Sequence, residues 1–313
     1  MTTASPTARR RFYRSSLMKR IYRSRMLYLM LALPLIQYAV FRYAPLMGLQ
    51  VAFKNFNMFK GMWASPWVGT KVFQEIFTNP KFWLALKNTV ILNALDLAFG
   101  FPMPIILAVF LYEMRSLTIK RISQTILYLP HFLSWIIIGG IVTQIFGSTG
   151  MANQVASKLL GRNANFLMNE TNWTIVYVAV GIWQSAGWGT IIYLAAISAV
   201  NTDLYEASEV DGCGRWRRII HVTLPCIMPT IVVMLILRLG QMVAIGFERP
   251  YVMANDMVLN VAEVISTFVY KMGLRNARYS FATAVGMFGS VVNMLFLLAA
   301  NIGAKRLGED GLW

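Results

Sequence analysis

Few side chains in this 313-residue sequence are equipped to do chemistry, and two of them sit where charge is expensive: Asp96 and Arg238, each inside a long apolar run. An ionised group in the middle of a bilayer costs about 2.5–3.5 kcal/mol on insertion scales, so such groups face a polar interior rather than lipid. Asn93 precedes Asp96 by three residues and Gln241 follows Arg238 by three, which puts an amide beside each charge on one helical face. Another apolar run, rich in glycine at Gly181, Gly187 and Gly189, adds Trp183 and Gln184, an aromatic surface and a hydrogen-bonding group of the kind a sugar ring needs. Together Asn93, Asp96, Trp183, Gln184, Arg238 and Gln241 are the candidate lining of a solute path. Two arrangements are open. Asp96 and Arg238 pair with one another, or with a partner subunit, as buried charges usually do; or Arg238 is free in the path and favours an acidic sugar through charge-assisted hydrogen bonds.

The other chemistry-bearing stretch is polar, Asn201 to Pro229, NTDLYEASEVDGCGRWRRIIHVTLPCIMP, set between two apolar runs. Asp203 reads as the N-cap of a short helix, with Glu206 reaching back to the cap amide. Gly212 and Gly214 break that helix. A second short one, carrying Arg215, Trp216, Arg217 and Arg218, runs to His221, and Pro225 and Pro229 mark the start of the next apolar run. The acids Asp203, Glu206, Glu209 and Asp211 are the one cluster with any claim on a divalent ion, but capping already explains two of them. His131 and His221 have no metal-ligand partner at helical spacing, and Cys213 and Cys226 form no framework. No phosphate-binding loop of the form G-x-x-x-x-G-K-[ST] occurs, so the chain supplies no ATPase site of its own.

The elements that must position these residues are membrane helices. Hydrophobic residues make up 57% of the sequence and charged ones 13%, and the mean hydropathy is +0.54, which describes a polytopic membrane protein. Six spans are predicted, at about 26–45, 88–112, 122–146, 171–200, 222–247 and 280–304, each near the ~20 residues a bilayer requires. Residues 46–82 form an aromatic-rich outer loop. In 247–279, Val261, Val264, Ile265, Phe268 and Val269 recur at helical spacing, as in an interfacial helix. The transmembrane domain, 26–304, is preceded by a basic arm, 1–25, and followed by a tail, 305–313. The net charge of +16 then reflects topology, not nucleic acid. With the N-terminus in the cytoplasm, inner segments hold sixteen basic residues and the longer outer loops ten. Basic density places both termini and the 201–221 loop on the cytoplasmic side.

The spacing Glu206, Ala207, Ser208, Asp211, Gly212, then Val222, Leu224, Pro225 resembles the coupling loop of ABC-importer permeases, E-A-A-x-x-x-G, nine residues, I-x-L-P. Ser208 and Val222 replace an alanine and an isoleucine of that pattern. Phe247, Tyr251, Val252 and Asn255, with Tyr279, Ser280, Ala282 and Ala284, resemble the outer segment of the maltose-transporter type, and the chain end at Leu312-Trp313 is similar to the branch that imports polysaccharide-derived oligosaccharides, alginate importers included. The resemblance implies an all-α fold of the type I ABC-importer permease with six transmembrane helices. It implies that Glu206, Ala207, Ser208, Asp211, Gly212, Arg215, Leu224 and Pro225 couple the chain to an ATPase. It also implies a second homologous permease, two ATPase subunits that bind the ATP and Mg, an extracytoplasmic solute-binding protein, an oligosaccharide solute, and residence among the lipids of a bacterial inner membrane. The readings that compete are a secondary transporter, which needs an ion-coupling carboxylate set and an inverted repeat, and a membrane-embedded metal-dependent transferase built on Asp203 to Asp211.

Overall fold

The computed structural model describes residues 22–161, 164–306, 308 and 311–312. The arginine-rich 1–21 part of the basic arm lies outside these residues. The described residues are almost wholly helical, with one isolated antiparallel bridge, Lys54 to Trp67, and no strand.

Six helices are long and apolar enough to cross a membrane: Arg25–Phe53, Pro80–Tyr112, Trp135–Leu159, Glu170–Ser198, Arg215–Leu239 and Tyr279–Arg306. We label α1 (Arg25–Phe53), α2 (Pro80–Tyr112), α3 (Leu117–Tyr128), α4 (Trp135–Phe146), α5 (Glu170–Ser198), α6 (Thr202–Val210), α7 (Arg215–Leu239), α8 (Glu248–Met253), α9 (Ile265–Arg275) and α10 (Tyr279–Arg306).

Several boundaries differ from the sequence expectation, and proline explains most of them. A proline lacks an N–H and its ring collides with the carbonyl four residues back, so Pro45 reads as the end of the first span and Pro225 as the start of a new run. Instead α1 and α7 run through Pro45 and Pro225, as α2 runs through Pro102 inside its predicted span, because a wider π-turn precedes each one: Ala39–Tyr43, Asp96–Gly100 and Ile219–Thr223. The extra backbone in the π-turn moves the threatened carbonyl aside. Consequently the first span extends to Phe53, well past about 45. The second starts at Pro80, capped by Asn79, whose side chain accepts from the Lys81 N–H. The short helix expected at 215–221 is the first part of α7, which stops at Leu239 rather than continuing to 247. At Pro130 the chain does break: the run expected at 122–146 is α3, a 3-10 turn at Leu129–Phe132, and α4. Both pieces lie along α5, since Gly187 faces the Leu127 carbonyl, Gln184 the His131 carbonyl, and Val142 shares a cluster with Trp173.

The helix α5 is the mast of the molecule. Trp173 and Tyr177 are wholly buried among Leu92, Ile138, Val142, Met253 and Val258, and the Trp173 indole donates to the Met253 carbonyl at 2.8 Å. Nearer its C-terminus Tyr193 and Ile197 pack with Ala108 and Ile227. The single interfacial helix expected in 247–279 is broken into α8, the segment Asp256–Ala262 and α9, the last two bent at 114°. The reason is a deeper burial than an interfacial helix has: Ile265 and Phe268 are enclosed with Phe82, Ala85 and Phe281, and Val264 with Leu92, Trp173 and Val258. The Asn88 amide donates to the carbonyls of Asn260 and Glu263 and fixes the bend. In contrast, the first fourteen residues of α1, Arg25–Tyr38, bury nothing, as suits a helix whose whole circumference meets apolar surroundings.

Candidate functional site

Two cavities share four residues at the centre of the bundle: Asp96 from α2, Trp135 from α4, Arg238 from α7 and Arg249 from α8. The larger, about 400 Å³, adds Asn93, Tyr177, Gln241, Phe247 and Glu248; the smaller, about 230 Å³, adds Gln184 and Ser185. Five of the six path candidates therefore converge here. Trp183 does not. On α5 Tyr177, Gly181, Gln184 and Ser185 follow the three- and four-residue spacing of one helical face, with Ile182 at its edge, and a step of two from Gly181 turns Trp183 roughly 200° away. The aromatic lining of the larger cavity comes instead from Trp135, Tyr177 and Phe247.

Asp96 is paired, but its principal partner is Arg249, a residue assigned from sequence to an outer loop. Arg249 grips the carboxylate with both nitrogens, Nη1 to Oδ2 at 2.7 Å and Nη2 to Oδ1 at 3.2 Å, and donates to the Tyr177 carbonyl at 2.6 Å. Its guanidinium lies over the Tyr177 ring, 3.7 Å from the centroid, with the Trp135 ring at 5.6 Å. Gly181 leaves the necessary space, since a Cβ there would overlap the guanidinium. Arg238 approaches Asp96 Oδ2 only to 3.8 Å, and its side chain is 39% exposed. The charges on the lining balance formally, yet not locally: Glu248 is exposed at the rim and, among the described residues, makes no ion pair.

The rim is held by amides. Asn93 donates to the Met242 carbonyl at 2.9 Å, and the Asn293 carbonyl oxygen accepts from the Val243 N–H at 2.9 Å, which pins the turn following α7. Beside it Phe247 stacks on Tyr251 at 4.7 Å and meets Tyr270 at 4.9 Å. Tyr251 is 45% exposed, so this trio offers an aromatic platform at the cavity edge.

The second assembly is the 201–225 stretch. The N-cap of α6 is Asn201, not Asp203: the Asn201 side chain accepts from the Asp203 N–H at 3.1 Å, and its amide donates to the Asp203 carboxylate. The cap therefore lies two residues earlier, and Glu206 is left exposed instead of reaching back to it. At the other end Gly212, at φ +75°, turns left-handed. Its N–H donates to the Glu209 carbonyl, while the Cys213 N–H donates to Ser208. That double closure is the Schellman stop, which favours glycine at this position. Ser208 points inward, donating to the Tyr205 carbonyl, and Tyr205 bonds Thr223 at 3.2 Å. Burial pushes the Tyr205 hydroxyl pKa up from its usual value. Glu206, Ala207, Asp211 and Gly212 are exposed, together with Val210 and Trp216 at 88% and 69%. Arg215 donates to the Glu113 carboxylate at 3.1 Å and to its carbonyl at 2.8 Å, and Arg218 reaches the same carboxylate at 3.6 Å. Glu113, missed in the sequence analysis, thus joins the end of α2 to the start of α7. Leu224 and Pro225 belong to α7 itself, half-buried and exposed respectively. Among the described residues no three His, Cys, Asp or Glu side chains converge as metal ligands.

Comparison with known proteins places the whole arrangement. Residues 100–309 match the family described as binding-protein-dependent transport system inner membrane component. Protein LplB of Bacillus subtilis (strain 168) is 42% identical over 299 residues, 95% of this chain and 94% of that one. The polygalacturonan/rhamnogalacturonan transport system permease protein YteP of the same organism is also 42% identical, over 301 residues, 96% and 94% of the two chains. Among solved structures, a chain of a bacterial ABC transporter involved in the import of the acidic polysaccharide alginate superposes with a TM-score of 0.85 at 41% identity, covering 93% of this chain and 99% of its own. A related crystal structure of the alginate transporter, in complex with an alginate pentasaccharide-bound periplasmic protein, matches equally well, at a TM-score of 0.85.

Proposed function

The chain belongs to the binding-protein-dependent transport system inner membrane components, and from that premise we propose that it carries an acidic oligosaccharide inward through the cavity around Asp96. It is a sugar-importer permease of the ABC type. A separate ATPase, which binds the ATP and Mg, seats on the exposed face of α6 and the start of α7; Glu206, Ala207 and Gly212 form the contact, and the small side chains allow close approach. A second permease, two ATPase subunits and an extracytoplasmic solute-binding protein complete the complex. Both termini lie on the ATPase side, in the cytoplasm.

The observation that carries the choice of solute is Arg238. A guanidinium in the membrane interior normally spends its charge on a nearby carboxylate, but here the carboxylate is already held on both oxygens by Arg249. Arg238 keeps donors turned to the cavity, and a uronate carboxylate is the complementary group. The relatives support the reading, since alginate and polygalacturonan are both uronate polymers.

The test is the purified complex with its binding protein, challenged with neutral and uronate oligosaccharides. ATP hydrolysis is expected to rise with uronate chains, and Arg238→Gln to lose that response while basal hydrolysis persists. Equal stimulation by neutral chains, or an Arg238→Gln variant with unchanged uronate response, overturns the proposal.

A further inference from the structure

Two arginines compete for one carboxylate in the cavity, and the geometry points to a division of labour: we propose that Arg249 is a positioning residue for solute selection, which saturates Asp96 so that Arg238 stays available to an anionic solute. The proposal rests on the reading of the cavity as the solute path and goes beyond it, because it assigns the selectivity of Arg238 to a residue on another element.

The asymmetry between the two guanidinium groups is structural. Arg249 has a planar fork matched to both carboxylate oxygens and a further acceptor in the Tyr177 carbonyl. Its side chain is 13% exposed, and the Tyr177 ring and Gly181 form a slot around it. Arg238 has none of these supports: it comes to 3.8 Å of the same Oδ2 from the open side, beyond hydrogen-bond range. Remove the Arg249 charge and the Asp96 carboxylate, itself 9% exposed, is left buried and bare. A bare buried carboxylate draws in the nearest cation, and Arg238 needs to move only about 1 Å to bond it. The cavity then loses its free positive charge although Arg238 itself is unaltered.

This predicts a pattern that a purely structural Arg249 does not. With uptake into proteoliposomes of a uronate oligosaccharide and of its methyl ester, in the presence of the binding protein, Arg249→Gln is expected to lower the acid-to-ester uptake ratio by about tenfold, the scale of one charge-assisted bond. Arg249→Lys, a point charge without the fork, is expected to fall between. The decisive variant is Asp96→Asn with Arg249→Gln: with the acid gone Arg238 is free again, and the ratio is expected to return to within about threefold of wild type, the non-additivity expected of two residues in one ion-pair network. Melting temperatures of the purified complexes report assembly separately from selectivity. If the double variant assembles and stays as unselective as Arg249→Gln, or if Arg249→Gln retains the wild-type ratio, the positioning role is wrong. A wild-type complex that shows no preference for the acid over its ester instead overturns the solute reading on which the proposal stands. Should Arg249→Gln fail to assemble, the Lys and double variants carry the test alone.

Discussion

At the scale of single residues the cavity depends on an atom that is absent by design of the sequence, the Cβ of Gly181. The Arg249 guanidinium occupies that space, so Gly181→Ala forces the side chain out of its slot; overpacking of this kind costs roughly 1–3 kcal/mol. The variant is expected to melt earlier and to lose uronate-stimulated ATP hydrolysis. Gly140→Ala, where nothing lies within 4 Å of the added carbon, is the silent control. Calorimetry and ATPase assays on the pair check this, and equal behaviour of the two variants contradicts it. Residue spacing made part of this site legible. Asn93, Asp96, Arg238 and Gln241 were visible because charge and amide share a helical face. Arg249 was not, since its partner lies 153 positions away and no local period connects a loop residue to a buried acid. Trp183 falls outside the two cavity linings, since spacing alone does not give the rotational phase of α5.

At the scale of elements, the 201–225 stretch is a rigid knob. Its turn requires φ +75° at Gly212, a conformation that costs an L-residue with a side chain roughly 1–2 kcal/mol. Gly212→Val is therefore expected to insert normally yet lose coupling, measured as loss of solute-stimulated ATP hydrolysis by the assembled complex, whereas Gly214→Ala, at φ −67° with open space beside it, keeps it. Glu113→Gln is a separate prediction. The Arg215 side chain is 56% exposed, so the pair itself stabilises the fold by no more than about 1 kcal/mol. The melting temperature is expected to move little, while stimulated hydrolysis falls because α7 is then held to the end of α2 through the Glu113 carbonyl without the ion pairs of Arg215 and Arg218. A large drop in melting temperature with coupling retained goes against that role. The motif spacing disclosed this knob from sequence, glycine included. It misplaced the cap by two residues, because Asn201 and Asp203 are both good capping types and only backbone geometry chooses between them. Pro45 and Pro225 misled more, since nothing in the local sequence announces the π-turns that let α1 and α7 pass through them.

At the scale of the molecule, hydropathy was sufficient to find six helices in order, since burial in a bilayer imposes length and apolarity directly. It could not give their neighbours. Those are set by contacts far apart in sequence, such as Asn88 with Asn260 and the Ser280 hydroxyl with Lys54. The orientation rests on the sixteen-to-ten distribution of basic residues, and it is checked by labelling. In a background with Cys213→Ser and Cys226→Ser, Lys60→Cys is expected to react with an impermeant maleimide in intact cells, and Lys305→Cys only in inverted vesicles. The reverse pattern inverts the topology. Both positions are exposed, so failure to label reports sidedness rather than burial.

A uronate cargo taken up at Arg238, as proposed, also has an electrical consequence. Every uronate carried inward takes one negative charge toward the negative face of the membrane, at about 2.3 kcal/mol per charge for each 100 mV. A fixed guanidinium along the path smooths the climb without altering its height, so the potential opposes the cargo in full and the voltage becomes a second load on the transporter. Uptake of a uronate trisaccharide into proteoliposomes is accordingly expected to slow when a potassium diffusion potential makes the interior negative. Its methyl ester, carrying no charge, is expected to cross at the same speed with or without the voltage.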